Sequence, residues 1–100
     1  MVHQNSLEHL WMPFTANRDF KSSPRLMNES EGMYYKKPDG TPVLDGTAGL
    51  WCCNAGHANR KIVKSIQEQA SKLDYAPSFQ MGHDLGFKAA EKLLEIAPSS

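Results

Sequence analysis

The chain is 100 residues long, with 11 Lys and Arg against 11 Asp and Glu and 40% hydrophobic residues. That balance leaves no electrostatic footprint for nucleic acid, and no run of about 18 apolar residues is present to span a membrane. The polar start, residues 1–8, lacks the basic and apolar regions of a secretory signal, so the cytoplasm is the expected compartment.

Residues 1–31 are mixed and poorly periodic. Leu7, Leu10, Trp11 and Phe14 are apolar within one short stretch that Pro13 interrupts. The pattern predicts a short helical turn followed by an extended arm, and such an arm lies on another surface rather than on itself. Residues 32–47 predict a β-hairpin. Gly32 to Lys36 form an aromatic strand, Pro38-Asp39-Gly40-Thr41 supplies preset φ and a glycine for the turn, and Pro42 opens the return strand at an edge.

Residues 46–58 form an irregular segment with Gly46, Gly49 and Gly56 among small residues and one tryptophan, a composition that lets backbone run close to a ligand or another chain. Cys52 and Cys53 are neighbours, which gives no disulfide framework and fits a reducing compartment. Together with His57 and His83 they match no zinc-ligand spacing, and no base is in evident reach for a nucleophilic cysteine. Gly46 and Gly49 do not make a phosphate loop. Trp51, flanked by small residues, reads equally as core or as the wall of an apolar ligand site. Phe14 and Phe79, aromatics in irregular stretches, read on their own as core or interface.

Residues 59–73 predict an amphipathic helix with Ile62, Val63, Ile66, Ala70 and Leu73 on one face and Asn59 at its start. A loop containing Pro77 and Gly82 follows. Residues 84–97 predict a second helix, with Asp84 as its cap and Leu85, Ala89, Leu93 and Ile96 on its buried face. A two-stranded hairpin is marginal alone, and the chain stops just after a helical pattern, so it is expected to be a piece of something larger.

Read in order, LWMPFTANR (residues 10–18), EGMYY (31–35), VLDGTAGLWC (43–52), NAGH (54–57), LDYAP (73–77) and FQMGH (79–83) resemble the start of class III, fold type I aminotransferases. The resemblance is to the ω-amino acid–pyruvate group, covers nearly the whole chain, and is carried most specifically by DGTAGLWC. Diaminopelargonate aminotransferases share the arm but carry a different segment at residues 49–51, and rank second. An aminomutase or decarboxylase-type relative of the same fold is a further alternative.

The resemblance implies an α/β enzyme in which residues 1–31 form the N-terminal arm. Residues 32–100 would begin the small domain and lead into the large cofactor domain. It implies pyridoxal 5'-phosphate as cofactor, an amine donor and pyruvate as substrates, a homodimer or homotetramer, and no nucleic-acid or membrane partner. In such enzymes the cofactor ring is the electron sink and the protein supplies orientation and charge. Trp51 would line the substrate pocket, with Phe14 and Phe79 as further pocket aromatics, at least one donated across a subunit interface, and Leu50 flanking them. No lysine here matches the Schiff-base context, so no catalytic, cofactor-binding or metal residue is expected within these residues. Cys53, Ala58-Asn59 and Asp84 depart from the valine, Gly-Arg and proline common in the family. The alternative of another class is a non-catalytic module that docks on an intact aminotransferase subunit.

Overall fold

A computed structural model describes residues 6–99, so the first five residues of the arm and Ser100 lie outside the described residues. The chain forms two compact units, Met1–Asn59 and Arg60–Ser100.

The first unit is built on a three-stranded antiparallel sheet in the order β1-β2-β3, with β1 at Glu29–Glu31, β2 at Tyr34–Lys36 and β3 at Pro42–Leu44. The predicted hairpin is β2-β3, with Tyr35 opposite Val43 and Lys36 opposite Pro42. Its turn closes through Lys37 N–H to the Thr41 carbonyl at 3.0 Å and Gly40 N–H to the Lys37 carbonyl at 2.9 Å, with Gly40 at φ 84°. Asp39 accepts from Thr41 N–H at 2.9 Å, which holds its carboxyl below the usual carboxylate range. Pro42 opens an edge strand, where its missing N–H costs no ladder bond.

The stretch read as an extended arm is more structured than its sequence indicates. It carries β1 and a short helix, α1, at Asn17–Ser22. Asn17 organises the segment before that helix. Its side chain accepts from Met12 N–H at 2.8 Å and donates to the Met12 and Thr15 carbonyls, both at 2.9 Å. These bonds fold residues 12–17 back on themselves and offset the cost of burying an amide.

In the second unit, α3 spans Arg60–Ala70 and α4 spans Asp84–Ile96. The predicted face of α3 is present, but the helix ends three residues early. Gln69 caps the exit, its carbonyl accepting from Leu73 N–H and its side chain donating back to the Leu73 carbonyl, both at 2.9 Å. Asp84 is the first helical residue rather than the cap, which is His83 in extended conformation. At that position proline and aspartate are both suited, the one by fixed φ and the other by charge at the positive helix end, where Asp84 also pairs with Lys88.

Among the described residues no hydrophobic residue is buried, and the only residue buried as a whole is Asn17. Ile66, Leu93, Leu94 and Ile96 stand more than half exposed on their helices. Local hydrogen bonds therefore hold the elements, and apolar burial does not. Residues 1–100 as an isolated chain are expected to melt broadly and to bind a hydrophobic dye such as ANS. Calorimetry checks this, and a sharp two-state transition would contradict it.

Candidate active site

The irregular segment after β3 is fixed at both ends on one corner of the sheet. Asp45 N–H donates to the Met33 carbonyl at 2.8 Å. Gly32 and His57 exchange both backbone bonds, at 3.0 and 2.8 Å. Between these anchors the backbone turns the wrong way for L-residues. Ala48, Gly49, Leu50 and Trp51 have φ of 50°, 59°, 59° and 71°. This turn, α2 at Ala48–Trp51, is left-handed and is closed by Trp51 N–H to the Thr47 carbonyl at 2.9 Å. Left-handed geometry costs about 1–2 kcal/mol for each residue bearing a Cβ, so Ala48, Leu50 and Trp51 together carry about 3–6 kcal/mol.

Asp45 holds the turn in place. One carboxylate oxygen accepts from Thr47 N–H at 3.1 Å and from Thr47 Oγ1 at 3.2 Å. The other accepts from Gly49 N–H at 2.7 Å and lies 2.6 Å from His57 Nε2. The two side chains are nearly enclosed, 4% exposed for Asp45 and 9% for His57. The His57 bond, then the Thr47 and Gly49 N–H groups, hold the Asp45 carboxyl down to about 2 against the opposing effect of burial. Tyr35 leans over the imidazole with ring centroids 4.5 Å apart, and its phenol is raised by burial and then by the Asp45 carboxylate. A Cβ at Gly49 would sit 3.1 Å from Cys53 Sγ and 3.4 Å from the Tyr35 hydroxyl, so the turn has little room for a side chain there.

Beside the turn lies an open cleft of about 470 Å³ whose walls include Met33, Thr47, Ala48, Trp51, Asn54 and His57. Trp51 is therefore at a cleft, while Leu50 follows the same turn outside its lining. Phe14 lies elsewhere in the first unit, fully exposed at φ 50° just after Pro13. Phe79 belongs to the second unit and is also exposed, beside Gln80 at φ 61°. The cleft brings together Trp51 with Asp45 and His57, two residues that the sequence reading had not joined. By sequence Asp45 falls at the end of the return strand, and His57 is a polar loop residue that matches no zinc-ligand spacing. Their spacing of 12 matches no local pairing rule.

The family profile described as Aminotransferase class-III matches residues 15–100. This chain belongs to the class-III aminotransferases. It is 52% identical over 94 residues to the omega-aminotransferase of Caulobacter vibrioides, covering 94% of this chain and 21% of that protein. It is 42% identical over 100 residues to the omega-amino acid–pyruvate aminotransferase of Pseudomonas putida, covering all of this chain and 22% of that protein. The crystal structure of the omega transaminase from Pseudomonas jessenii in complex with PMP superposes with a TM-score of 0.82 at 28% identity, over 92% of this chain and 21% of that one. The chain thus spans about a fifth of the length of the relatives it matches.

Ala58 sits at φ 51°, a conformation in which a glycine would carry no penalty. In the folded protein, Ala58→Gly is expected to raise stability by about 0.5–1 kcal/mol, read as a shift in denaturant midpoint. The lowered Asp45 pKa sets a second expectation. Stability from this carboxylate is complete above its unfolded value of about 4 and is lost as pH falls toward about 2. In a Trp11→Phe background, Trp51 fluorescence should report that acid transition, and Asp45→Asn should abolish it. Persistence of the transition in Asp45→Asn would assign it to another group.

Proposed function

We propose that these residues form part of the amine-pocket wall of a cytoplasmic, pyridoxal 5'-phosphate-dependent aminotransferase. The enzyme would move an amino group from an ω-amino acid or amine to pyruvate. The observation that carries the reading is Trp51, held at the edge of an open cleft by a strained turn and left 81% exposed. An aromatic that its own unit leaves exposed beside a cleft suits a pocket wall better than a core. The names of the C. vibrioides and P. putida relatives support the reaction class. Free Cys52 and Cys53 agree with a reducing compartment, and no helix of the described residues is long and apolar enough to cross a membrane.

The cofactor is not anchored by this cleft. No lysine or arginine lines it, and its carboxylate is already committed to Thr47, Gly49 and His57. A phosphate and an aldehyde need cationic and amine partners that the cleft does not supply. When bound, pyridoxal phosphate supplies the electron sink for amino transfer. The role of the residues here is to shape the space beside it. Trp51 limits the size and direction of the amine side chain, Leu50 flanks it, and Phe14 and Phe79 are further wall aromatics. The arm at 1–31 docks on a second subunit, which suits the full exposure of Phe14. Residues 32–100 belong to the small domain and the lead-in to the cofactor domain.

The test is a graft in which residues 15–99 replace the matching segment of the C. vibrioides relative. The grafted subunit is expected to form alanine from pyruvate with β-alanine or 1-phenylethylamine as donor. A folded, cofactor-loaded graft that forms no alanine overturns the reading. Trp51→Ala in the graft should change the KM for 1-phenylethylamine by about tenfold or more, because a lost indole wall is worth on the order of 1–3 kcal/mol of contact.

A further inference from the structure

We propose that Asp45, locked by His57, is the positioning residue that aims Trp51 at the substrate space. The inference rests on the reading of Trp51 as a pocket wall. Three observations carry it. First, the indole is 81% exposed, so packing within its own unit does not fix its direction and the backbone must. Second, that backbone is left-handed through Ala48, Gly49, Leu50 and Trp51, a conformation that residues with a Cβ leave unless they are held. Third, the Asp45 carboxylate grips the start of the turn, through Thr47 and Gly49, at 2.7–3.2 Å. Its own orientation is fixed by His57 Nε2 at 2.6 Å and by Asp45 N–H on Met33. Neither acid nor imidazole projects into the cleft as a free group, since each is over nine-tenths enclosed and mutually paired. They act through the turn and not on substrate.

Three properties separate this from a purely structural role. Asparagine at 45 keeps one acceptor oxygen but loses the charge and the second acceptor that Gly49 and His57 share, so the turn relaxes toward right-handed φ. Glutamine at 57 retains an N–H donor, whereas phenylalanine retains ring contact with Tyr35 and loses the donor. Relaxation of the turn matters only if a large side chain stands on it.

The experiment uses the grafted subunit in two backgrounds, Trp51 intact and Trp51→Ala, and compares Asp45→Asn, His57→Gln and His57→Phe in each. With Trp51 intact, Asp45→Asn and His57→Phe are expected to raise the amine KM about tenfold with kcat falling less than about threefold, and His57→Gln to recover most of the loss. In the Trp51→Ala background the same changes should have little further effect on KM. Hydrogen exchange of the cofactor-free subunit should show faster exchange confined to the amides of Thr47, Gly49 and Trp51. Equal KM effects in both backgrounds overturn the proposal, as does unchanged exchange at those amides. If Asp45→Asn does not fold, the His57→Gln and His57→Phe pair decides by the same criteria. If Trp51→Ala leaves the amine KM unchanged while Asp45→Asn still frees the turn, the pocket-wall reading fails and the hold of Asp45 on the turn stands.

Discussion

One ionised carboxylate organises the irregular segment after β3 and the cleft beside it. Asp45 accepts from two backbone N–H groups, one hydroxyl and one imidazole within 3.2 Å. Of those donors, the Gly49 N–H and the His57 imidazole are part-buried, and an enclosed group without a partner is expensive. The carboxylate thus does two jobs at once. It satisfies the loop's donors, and it opposes about 3–6 kcal/mol of left-handed backbone strain. The hold is two-sided because Asp45 and His57 are themselves pinned to Gly32–Met33 by backbone bonds. A loop of this length with fixed ends has few ways to relax.

The dominance of a polar lock follows from what the chain lacks. With no buried hydrophobic residue among the described residues, area burial cannot define the fold of either unit. The helices of the second unit have 11 and 13 residues, lengths at which an isolated helix is marginal in water. Exposed pairs such as Lys64–Glu68 at 3.7 Å and Lys92–Glu95 at 2.8 Å add only tenths of a kcal/mol. The apolar stripes on these helices are left exposed within their own unit. This agrees with a chain that spans about a fifth of the relatives it matches.

How much of this could be read from residues alone depends on whether the signal was local. The β2-β3 hairpin was legible because Pro38-Asp39-Gly40 has turn chemistry with a mechanism, and the helices because their apolar positions repeat at helical spacing. β1 was not, because Glu-Ser-Glu has no strand propensity and pairs only since β2 lies beside it. α1 was hidden for a similar reason. Its six residues have no apolar face, and the turn before it depends on the amide of Asn17 reaching back to Met12. Trp51 stood out because a large aromatic among small residues has nothing local to pack on, and it is 81% exposed beside the cleft. The Asp45–His57 pair was invisible, since only the folded loop brings the two together.

Glycine counting also misleads at this site, for a physical reason. The rule that left-handed backbone calls for glycine points to Gly49, yet Ala48, Leu50 and Trp51 adopt the same sign of φ without that exemption. A turn built of glycine would need no lock, but it would present no side chain. A turn of this hand that presents a leucine and a tryptophan in succession carries the strain of their Cβ atoms. It also needs a group strong enough to hold the backbone against that strain. At Gly49 an added side chain would be crowded as well as strained by φ, with Cys53 Sγ and the Tyr35 hydroxyl 3.1 and 3.4 Å from its Cβ. The sequence Asp-Gly-Thr-Ala-Gly-Leu-Trp-Cys is accordingly a division of labour. The acid holds, the second glycine admits the close approach, and the two large residues after it are presented outward.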